Sequence, residues 1–419
     1  MQFKEAVVVD AARSPFGRAG DRGVFRDITY HELLTPVLTT LIERNHINPE
    51  EIDDIIMGSV GLSGGLTNAR SIVMEMGLPF SIPGLDLNRQ CGSALVSCAI
   101  AANQIMVNCA DIILAGGIET MDRRGPVKPS EVGKRGAGDP EAMLRAQAAA
   151  PKEEYPEGWK FAELMPEWYK VVEPWIYNMG LTAEKLSKVY GISRQDADEF
   201  SYYSHMKTIA AQQAGLFEKE IVPITIKYTD GTTVTVDKDQ GPRPDTTIEK
   251  LAALKPAYTA DGVVTAGNSC PRNDGATACL MMSKDKAREM GLKPLVTFRY
   301  YTQVGVDPTI MGLGPVPAIQ KLLKRTGMSI KDFGLVEINE AFACVSLNAQ
   351  RQLGFDMDIL NVKGGAIAIG HPLGASGARI VGTLAREMVR RQVQWGLIGI
   401  CCGGGQGVAA ALELENYDW

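Results

Sequence analysis

The sequence predicts a layered α/β fold, rich in parallel strands, that is built from two similar halves with a segment inserted between them. Short apolar runs alternate with helical patterns along the chain, which is typical of sheets covered by helices. Residues 41–60 match residues 322–341 without a gap, more in residue character than in identity. Residues 122–177 differ from both halves because they are rich in charge, proline and glycine.

The overall composition is that of an ordinary globular chain with a large core. Of the 419 residues, 45% are hydrophobic and 22% are charged. The net charge of −6 argues against a nucleic acid or an anionic membrane surface as a partner. The chain has no apolar run of about 18 residues, and its first residues lack the pattern of a signal peptide. We therefore expect no membrane-spanning helix and a cytoplasmic location.

Each copy of the internal repeat reads as the end of a helix, a polar turn and a stretch that enters a strand. The same offset places Cys91 beside Pro372, the residue after His371. Both neighbourhoods run into helices of small residues, which lead to buried strands ending in glycines at 110–117 and 395–405. A chance match is the alternative, but the shared order of elements favours a duplication. A duplication would place two equivalent helix amino termini near one another.

The segment between the halves begins with a stretch that we expect to lie on the surface. Two helices follow it, and the second starts at a capping box of Ser193 and Asp196 and ends at Gly215. A hairpin around Asp230 and Gly231 comes next.

These patterns divide the chain into three parts. The first half comprises residues 1–121 plus 262–288, the inserted segment comprises residues 122–261, and the second half comprises residues 289–419. The chain returns to the first half through the apolar, glycine-containing stretches that follow the insert.

Eight cysteines and four histidines are few enough to sort by context. No CxxC pair and no Cys/His cluster with zinc spacing is present, so we expect neither a metal site nor a disulfide framework. Most of the cysteines should be small core residues. His31, His46 and His205 lie in polar, helix-like stretches and are interpreted as surface residues. His371 is then the candidate base.

Two residues stand where the chain is shaped for a ligand. Cys91 lies where a strand-like approach turns into a helix of small residues, whose N–H groups and dipole would stabilise a thiolate. The alternative is a buried structural cysteine, but Gly92 and Ser93 leave room for a ligand. His371 lies in GGAIAIGHPLGASGAR, where glycines and a proline favour close ligand approach over a packed helix. The alternative is an ordinary satisfied polar residue.

Cys401 and Asn339 complete the candidate set. Cys401 opens CCGGGQG, whose glycines expose N–H groups suited to an oxyanion. As a dinucleotide motif GGGQG is weak, because no helix with a distal acid follows. Asn339 ends an apolar strand, where its amide is either part of a turn or a holder of a water or carbonyl oxygen. A Cys–His–Cys–Asn set without a metal motif indicates acyl transfer through a thioester.

Six segments together resemble the signature blocks of the thiolases. They are, in chain order, NRQCGSA, GGIETM, TAGNSCPRNDGA, NEAFA, GGAIAIGHPLGASGAR and CCGGGQG. AARSPFG and MGLTAE resemble further family segments, so the resemblance covers almost the whole chain. It implies a duplicated five-layered αβαβα fold with an inserted loop domain, in agreement with the repeat. It also implies thiolytic cleavage of a 3-oxoacyl-CoA, or the reverse Claisen condensation, by a ping-pong mechanism with coenzyme A as a substrate and no permanently bound cofactor.

The resemblance assigns a role to each candidate. Cys91 would be acylated, and His371 would take its proton and, with a water held by Asn339, bind the thioester oxygen. Cys401 would be the acid and base at the α-carbon of acetyl-CoA, and the N–H groups of Cys91 and Gly403 would form a second oxyanion hole. The residues that match CoA-contacting positions of the family are Arg243, near the adenine, and Tyr258, Ala266, Met179, Cys270 and Phe342, along the pantetheine channel.

Several positions depart from the family pattern. Cys270 stands where a serine is common, the next two residues, Pro271 and Arg272, replace a Gly-Leu type of pair, and Asn178 stands where many members have histidine. We therefore expect a substrate bulkier or more polar than acetoacetyl-CoA. If that substrate carries a carboxylate, we expect the carboxylate to contact Arg272, or Arg123 and Arg124.

Partners and competing functions follow from the same resemblance. It implies a homodimer or a homotetramer, and residues 122–177 could dock an additional small subunit. Decarboxylating ketoacyl synthases pair their cysteine with two histidines, or with histidine and asparagine, so Cys401 disfavours that class. A non-catalytic acyl-CoA-binding protein is the other alternative, and the complete set of Cys91, His371 and Cys401 disfavours it.

Overall fold

The computed structural model describes residues 3–20, 22–61, 67–121, 178–228 and 231–417. The strands in this part of the chain are β1 (Ala6–Arg13), β2 (Gly17–Arg18), β3 (Asp54–Gly58), β4 (Gly84–Leu87), β5 (Ile112–Glu119), β6 (Ile224–Lys227), β7 (Thr233–Val236), β8 (Asn273–Ser283), β9 (Val296–Gly305), β10 (Leu335–Ile338), β11 (Trp395–Cys402) and β12 (Gln406–Glu413). The helices are α1 (Tyr30–Arg44), α2 (Asn68–Glu75), α3 (Ser93–Met106), α4 (Met179–Val189), α5 (Arg194–Gln213), α6 (Ile248–Ala252), α7 (Lys284–Glu289), α8 (Pro315–Thr326), α9 (Ala343–Leu353), α10 (Ala366–Ile369) and α11 (Ser376–Arg391).

The internal match in the sequence corresponds to equivalent elements in the two halves. In the first half, α1 is followed by the 3₁₀ turn Pro49–Glu51 and by β3. In the second half, α8 is followed by the 3₁₀ turn Ile330–Asp332 and by β10. Next, α3 leads to β5 in the first half, and α11 leads to β11 in the second. The predicted duplication is therefore confirmed.

The two sheets join edge to edge through one strand of each half. The strand order is β10-β11-β12-β9-β1-β8-β5-β3-β4, and β1 meets β9 in antiparallel register at Val7 and Val8. β3 is parallel to β4 and β5, and β10 is parallel to β11. The other neighbours along this order are antiparallel. The expected richness in parallel strands is thus wrong, because the long strands β8 and β12 run back against their neighbours.

Three apolar clusters separate five layers. Side chains of α3 and α11, such as Leu95 and Leu384, fill the space between the two sheets. Leu38 of α1 belongs to the cluster on the outer face of the first sheet, and Ile319 of α8 to the cluster on the outer face of the second. α3 and α11 approach closely at Gly377, where a Cβ atom would overlap the backbone of α3. The predicted five-layered αβαβα fold is confirmed.

The described part of the insert lies between β5 and β8. As predicted, Ser193 and Asp196 form a capping box at the start of α5, and Gly215, with φ of 69°, follows the end of that helix. The predicted hairpin is the antiparallel pair β6 and β7. Asp230 lies outside the described residues. Residues 122–177, with Arg123 and Arg124, lie outside them as well. The division into three domains stays a prediction.

A buried charge network connects the first half, the insert and the second half. Arg13 of β1 donates two hydrogen bonds to Asp239, with nitrogen–oxygen distances of 2.6 and 2.8 Å. Its Nε lies 3.7 Å from Glu220, which also contacts Lys363 of the second half. All four side chains are buried. Since buried charges persist only when they are paired, this network fixes the insert against both halves.

None of the helices in the described part of the chain combines the length and apolar character that crossing a bilayer requires.

Candidate active site

Cys91 is presented by a tight turn between β4 and α3. Gln90, just before it, has a φ of 51°, which is uncommon for a residue other than glycine. The Ser93 hydroxyl closes the turn, because it accepts the N–H of Arg89 at 2.8 Å and donates to the carbonyl of Gln90 at 2.6 Å. Gly92 is the N-cap of α3. Cys91 therefore lies at the amino-terminal end of a helix, as predicted, with 7% of its surface exposed.

The Cys91 turn packs directly against the turn that joins β11 to β12. The backbone N–H groups of Gly403 and of Cys91 act to lower the pKa of the Cys91 thiol. A Cβ atom on Gly92 would lie 2.7 Å from the Sγ of Cys402. Arg89 donates to the side chain of Gln406 at 2.9 Å. The turn that follows β11 thus brings the backbone N–H of Gly403 close enough to influence the Cys91 thiol.

Burial determines the protonation state of Cys91. It raises the pKa of this thiol to about 11. The two N–H groups lower the pKa, and the nearby carboxylate of Glu119 raises it further. The sequence predicts that the helix start stabilises a thiolate, and burial opposes that effect in the unliganded site. The helix and the N–H groups do favour the anion, but the loss of solvent outweighs them. At neutral pH the thiol keeps its proton, so nucleophilic attack needs a base.

Cys401 lies in β11 and is completely buried. Burial raises the pKa of Cys401 well above the ordinary range, and the proximity of Cys91 raises it further. Both thiols are therefore neutral at rest. A neutral thiol is a proton donor for a developing carbanion.

His371 follows α10 and Gly370, whose φ of 120° only glycine adopts readily. Its backbone N–H donates to Oδ1 of Asn273 at 2.9 Å. Its Nδ1 lies 2.6 Å from Oγ of Ser376, and that hydroxyl donates to the carbonyl of Pro372 at 2.7 Å. Since the hydroxyl has only one proton, it accepts from Nδ1–H, which leaves Nε2 unprotonated. The short helix α10 before it was not predicted.

Asn339 lies next to Nε2, the unprotonated nitrogen of the His371 imidazole. It follows β10, as predicted, and its backbone N–H donates to Gly399 of the neighbouring strand β11 at 3.0 Å. Its Nδ2 lies 3.2 Å from Nε2 of His371. Its Oδ1 is buried and has no hydrogen-bond partner. A buried acceptor without a partner is costly, so this oxygen is suited to a donor that arrives with the substrate.

The imidazole of His371 is neutral at every physiological pH. Burial lowers its pKa to about 3, and the charge of Arg379 lowers it further. A neutral imidazole at His371 and a protonated thiol at Cys91 have the functions of a base and an acid. All four predicted side chains are buried, and Asn339 contacts His371.

Glu119, which the sequence did not single out, connects the loops of the two halves. Its carboxylate accepts the N–H groups of Val60 at 3.0 Å and Gly61 at 2.9 Å, after β3, and that of Gly374 at 2.9 Å, before α11. It is 1% exposed. An acid at the end of an apolar strand is a pattern from which Glu119 could have been identified in the sequence. Ser376 was harder to identify, because only the fold shows that it contacts His371.

The residues predicted to line the CoA channel fall into a series that begins near Cys91. Cys270 donates its N–H to Ala341 at 3.1 Å, and Phe342 is buried beside it. The pKa of Cys270 is raised by burial and then by Cys91, and that of Tyr258 by burial and then by Cys270. Charge interactions therefore link Cys91 with Cys270 and Cys270 with Tyr258.

The remaining predicted CoA residues lie at the outer end of the insert. Tyr258 is 42% exposed and packs on Gly180, so that Met179, at the start of α4, adjoins it. Ala266 is exposed. Arg243 is exposed and apart from these residues, and its N–H donates to Nδ1 of His205 at 3.2 Å.

The interpretation of His205 as a surface residue is wrong. It is 5% exposed on α5, and burial lowers its pKa to about 4, followed by the charges of Arg243 and Arg18. His46 is exposed as expected. His31 is half-buried and lies 2.5 Å from Glu75.

Within the described ranges, the His, Cys, Asp and Glu side chains form no group of three or more that could hold a metal ion.

Comparisons with known proteins agree with this geometry. Residues 6–285 match the family model described as Thiolase, N-terminal domain, and residues 292–414 match Thiolase, C-terminal domain. The chain belongs to the thiolase family. It is 41% identical to an acetyl-CoA acetyltransferase of Cupriavidus necator over 98% of this chain and 100% of the relative.

Solved thiolase structures extend the likeness to the fold. The acetyl-CoA acetyltransferase of Bacillus anthracis superposes with a TM-score of 0.84 at 37% identity, covering 98% of this chain and 99% of that one. Human mitochondrial 3-ketoacyl-CoA thiolase in complex with CoA superposes with a TM-score of 0.82 at 34% identity, covering 99% and 98%. This thiolase is thus an acyltransferase, and the general thiolase reaction, with CoA as a substrate, is its chemistry.

Proposed function

We propose that this thiolase cleaves a 3-oxoacyl-CoA with CoA, or forms one by the reverse Claisen condensation, in two half-reactions through an acyl-Cys91 intermediate. The observation that carries the proposal is the close packing of the Cys91 turn on the end of β11, where a Cβ atom on Gly92 would lie 2.7 Å from the Sγ of Cys402. This packing supports one reacting carbon between the nucleophile and Cys401.

The first half-reaction breaks the carbon–carbon bond. Neutral His371 takes the proton of Cys91 at Nε2, and the thiolate attacks the 3-carbonyl carbon of the substrate. The bond between C2 and C3 breaks, its electron pair becomes the enolate of acetyl-CoA, and the Cys401 thiol protonates C2. Acetyl-CoA leaves, and the acyl group stays on Cys91 as a thioester.

The second half-reaction returns every proton. The thiol of the incoming CoA gives its proton to the Cys401 thiolate, and its sulfur attacks the thioester carbon. Cys91 leaves as a thiolate and takes the proton held by His371. Both thiols and the imidazole are then as they began.

Two oxyanions form along this path, and two donor sets support them. The N–H groups of Cys91 and Gly403 influence the Cys91 sulfur, and we expect them to receive the oxygen of the acylating carbonyl as it develops charge. His371 and Asn339, with a water on the free Oδ1 of Asn339, would face the thioester oxygen of the acetyl-CoA enolate. A preorganised donor contributes about 3–4 kcal/mol to such a transition state.

The proposal is tested by separating acyl transfer from carbon–carbon chemistry. Incubation with radiolabelled acetyl-CoA is expected to label the peptide that contains Cys91. Cys91→Ala should lose labelling, thiolysis and exchange of labelled CoA into acetyl-CoA. Cys401→Ala should retain labelling while its thiolysis rate falls by about 10²–10⁴-fold, since it loses the acid at C2.

Cys109 provides the matched control, because it is an exposed thiol beyond the far end of α3, the helix that Cys91 precedes. Cys109→Ala should behave as the parent in all three assays. Label that persists on Cys91→Ala, or a non-catalytic protein that binds acyl-CoA without labelling, would reject the mechanism.

We further propose a substrate bulkier or more polar than acetoacetyl-CoA. Three departures from the family pattern support this. The charge of Cys91 acts on Cys270, Arg272 pairs through its backbone with His371, and the side chain of Asn178 caps α4, where it accepts the N–H of Leu181 at 3.2 Å. The backbone pairing of Arg272 with His371 supports contact between Arg272 and a carboxylate of the substrate.

A panel of 3-oxoacyl-CoAs tests this specificity. We expect kcat/KM to be higher for branched, aromatic or carboxylated chains than for acetoacetyl-CoA. If the carboxylated chain is preferred, Arg272→Gln should remove that preference and leave the neutral chains as in the parent. A clear preference for acetoacetyl-CoA would reject this part of the proposal without affecting the mechanism.

A homodimer or homotetramer in the cytoplasm completes the proposal. The edge strand β4 has a free side in the described sheet, and near it Phe80 is 79% and Leu85 is 38% exposed. Open edges and exposed apolar side chains favour association. Analytical ultracentrifugation is expected to give two or four chains per particle, and cell fractionation checks the location.

A further inference from the structure

The buried carboxylate of Glu340 joins three segments of the chain. Glu340 follows Asn339 directly, and 1% of its surface is exposed. Its Oε1 atom accepts a hydrogen bond from Nδ2 of Asn361 at 2.8 Å. Its Oε2 atom accepts the hydroxyl of Ser204 at 2.6 Å and the backbone N–H of Ile367 at 3.1 Å. The carboxylate therefore connects the end of β10 with α5 of the insert and with α10.

These hydrogen bonds match the ionised form of Glu340. The Ser204 hydroxyl accepts the N–H of Gly365 at 3.2 Å, so its single proton goes to Glu340. The amide of Asn361 and the N–H of Ile367 are donors as well. Burial raises the pKa of the Glu340 carboxyl, and the three hydrogen bonds lower it. Since an ionised acceptor makes stronger hydrogen bonds than a neutral one, the carboxylate holds these segments more firmly than an amide would.

Asn361 holds the end of β10 in the same network. Its φ of 42° is uncommon for a residue other than glycine. Its Oδ1 accepts the N–H of Ile338 at 2.9 Å, and its Nδ2 donates to the carbonyl of Ile338, also at 2.9 Å. The same Nδ2 donates to Glu340. One amide side chain therefore contacts both neighbours of Asn339 in the chain.

Glu340 also supports the segment that ends at His371. Gly365 is the N-cap of α10 and has no side chain to cap that helix. A Cβ atom on Gly365 would overlap the carboxyl group of Glu340 at 2.3–2.6 Å, so glycine is needed for the carboxylate to reach the N–H of Ile367. The single turn of α10 ends at Gly370, and the imidazole follows. The carboxylate of Glu340 thus replaces the missing cap.

The pair of Asn339 and His371 depends on both of these segments. The two residues are 32 positions apart in the chain, and Nδ2 of Asn339 lies 3.2 Å from Nε2 of His371. Glu340 is bonded to the segment on each side of that contact. A small displacement of either segment would change the distance, and small misplacements of reacting groups are costly in rate.

We propose that Glu340 is a positioning residue for the oxyanion hole that Asn339 and His371 form for the enolate. Because Glu340 is buried, it acts through these two side chains and does not contact the substrate. The inference rests on the proposed function, because it names the group that sets the geometry of the enolate site. Acyl transfer uses the N–H groups of Cys91 and Gly403 for its oxyanion, so loss of the carboxylate should impair enolate formation more than acyl transfer.

Two exchange reactions of acetyl-CoA separate the two steps. In D2O, Cys401 removes a proton from C2 of acetyl-CoA and returns a deuteron, so deuterium enters C2 through the enolate. Labelled CoA enters acetyl-CoA through acyl-Cys91, without an enolate. In Glu340→Gln, deuterium exchange is expected to fall by about 10–100-fold, while CoA exchange falls by less. The ratio of the two rates is the readout, and a general loss of folded enzyme would not change it.

Serines of α5 provide a milder variant and a matched control. Ser204→Ala removes one donor to Glu340 and keeps the charge, so the exchange ratio should fall by about three- to tenfold. Ser201→Ala should keep the ratio of the parent, because that hydroxyl is also buried on α5 but donates to the carbonyl of Ala197 at 2.7 Å. If Glu340→Gln does not fold, Ser204→Ala decides the question.

A double variant tests the route of the effect. If Glu340 acts through the oxyanion hole, Glu340→Gln should lower deuterium exchange less in an Asn339→Ala background than in the parent. Equal losses in both exchange reactions, or no loss in either, would show that the inference is wrong while the thiolase mechanism stands. A parent enzyme that catalyses neither exchange would reject the proposed function, and the inference with it.

Discussion

The Nδ1 atom of His371 lies 2.6 Å from Oγ of Ser376, and the same hydroxyl donates to the carbonyl of Pro372. Ser376 begins α11, so the first turn of a buried helix fixes the tautomer of the candidate base. Without a hydrogen-bond acceptor at Nδ1, the proton could move to Nε2, where it would block proton transfer from Cys91.

Ser376→Ala is therefore expected to lower kcat by about 10–100-fold, since orientation and tautomer both matter to a general base. Ser97→Ala in the paired helix α3 is the control, because that hydroxyl is also buried and bonds only to its own helix, at Ser93. Steady-state kinetics with circular dichroism would check both variants. Turnover at the rate of the parent in Ser376→Ala would show that the contact is not needed.

The protonation state of Cys91 gives a prediction about pH. Because burial raises the pKa of this thiol to about 11, the reactive thiolate fraction should grow roughly tenfold per pH unit up to that value. Alkylation of Cys91 by iodoacetamide should therefore accelerate from pH 7 to pH 10 without levelling off. Peptide mapping distinguishes this thiol from the others. A plateau near pH 7 would instead show a thiolate stabilised by the helix.

Local sequence patterns predicted the candidate reacting groups. Cys91, His371 and Cys401 each stand where an apolar strand or a small-residue stretch meets glycines, and such positions expose backbone to ligands. The duplicated order of elements predicted the layered fold for the same reason, since it depends on neighbours in the chain.

What the sequence did not predict depends on contacts between distant residues. The pKa of Cys91 and the burial of His205 follow from the packing of the insert and of both halves, so no local pattern reports them. Glu119 and Ser376 act through partners that only the fold brings near. The strand β12 was not predicted, because its alanines do not distinguish a strand from a helix.

Gly92 and Cys402 are expected to act as a complementary pair. A Cβ atom on Gly92 would lie 2.7 Å from the Sγ of Cys402 and 3.0 Å from Val408, so Gly92→Ala should displace the Cys91 turn. We expect its kcat to fall by about tenfold or more, as small misplacements of reacting groups do. Cys402→Ala alone should have a small effect, and the double variant should recover part of the loss. Purely additive effects would contradict a direct clash.

The buried pair of Arg13 and Asp239 is expected to be the most sensitive structural contact between the first half and the insert. Asp239→Asn keeps the shape of the side chain but removes the negative charge, which accepts two hydrogen bonds from Arg13 at 2.6 and 2.8 Å. The guanidinium is then left with Glu220 at 3.7 Å as its nearest counterion. Leaving a buried charge without its partner costs about 3–5 kcal/mol.

Equilibrium denaturation of Asp239→Asn should therefore show a loss of stability of about that size, provided that the transition is two-state. Lys250→Gln is the control, because it breaks the exposed pair with Asp245 and should change stability little. Arg13→Met with Asp239→Leu removes both charges, and it should be more stable than Asp239→Asn because no unpaired charge remains buried. If the single variant unfolds like the parent, the network does not hold the insert in place.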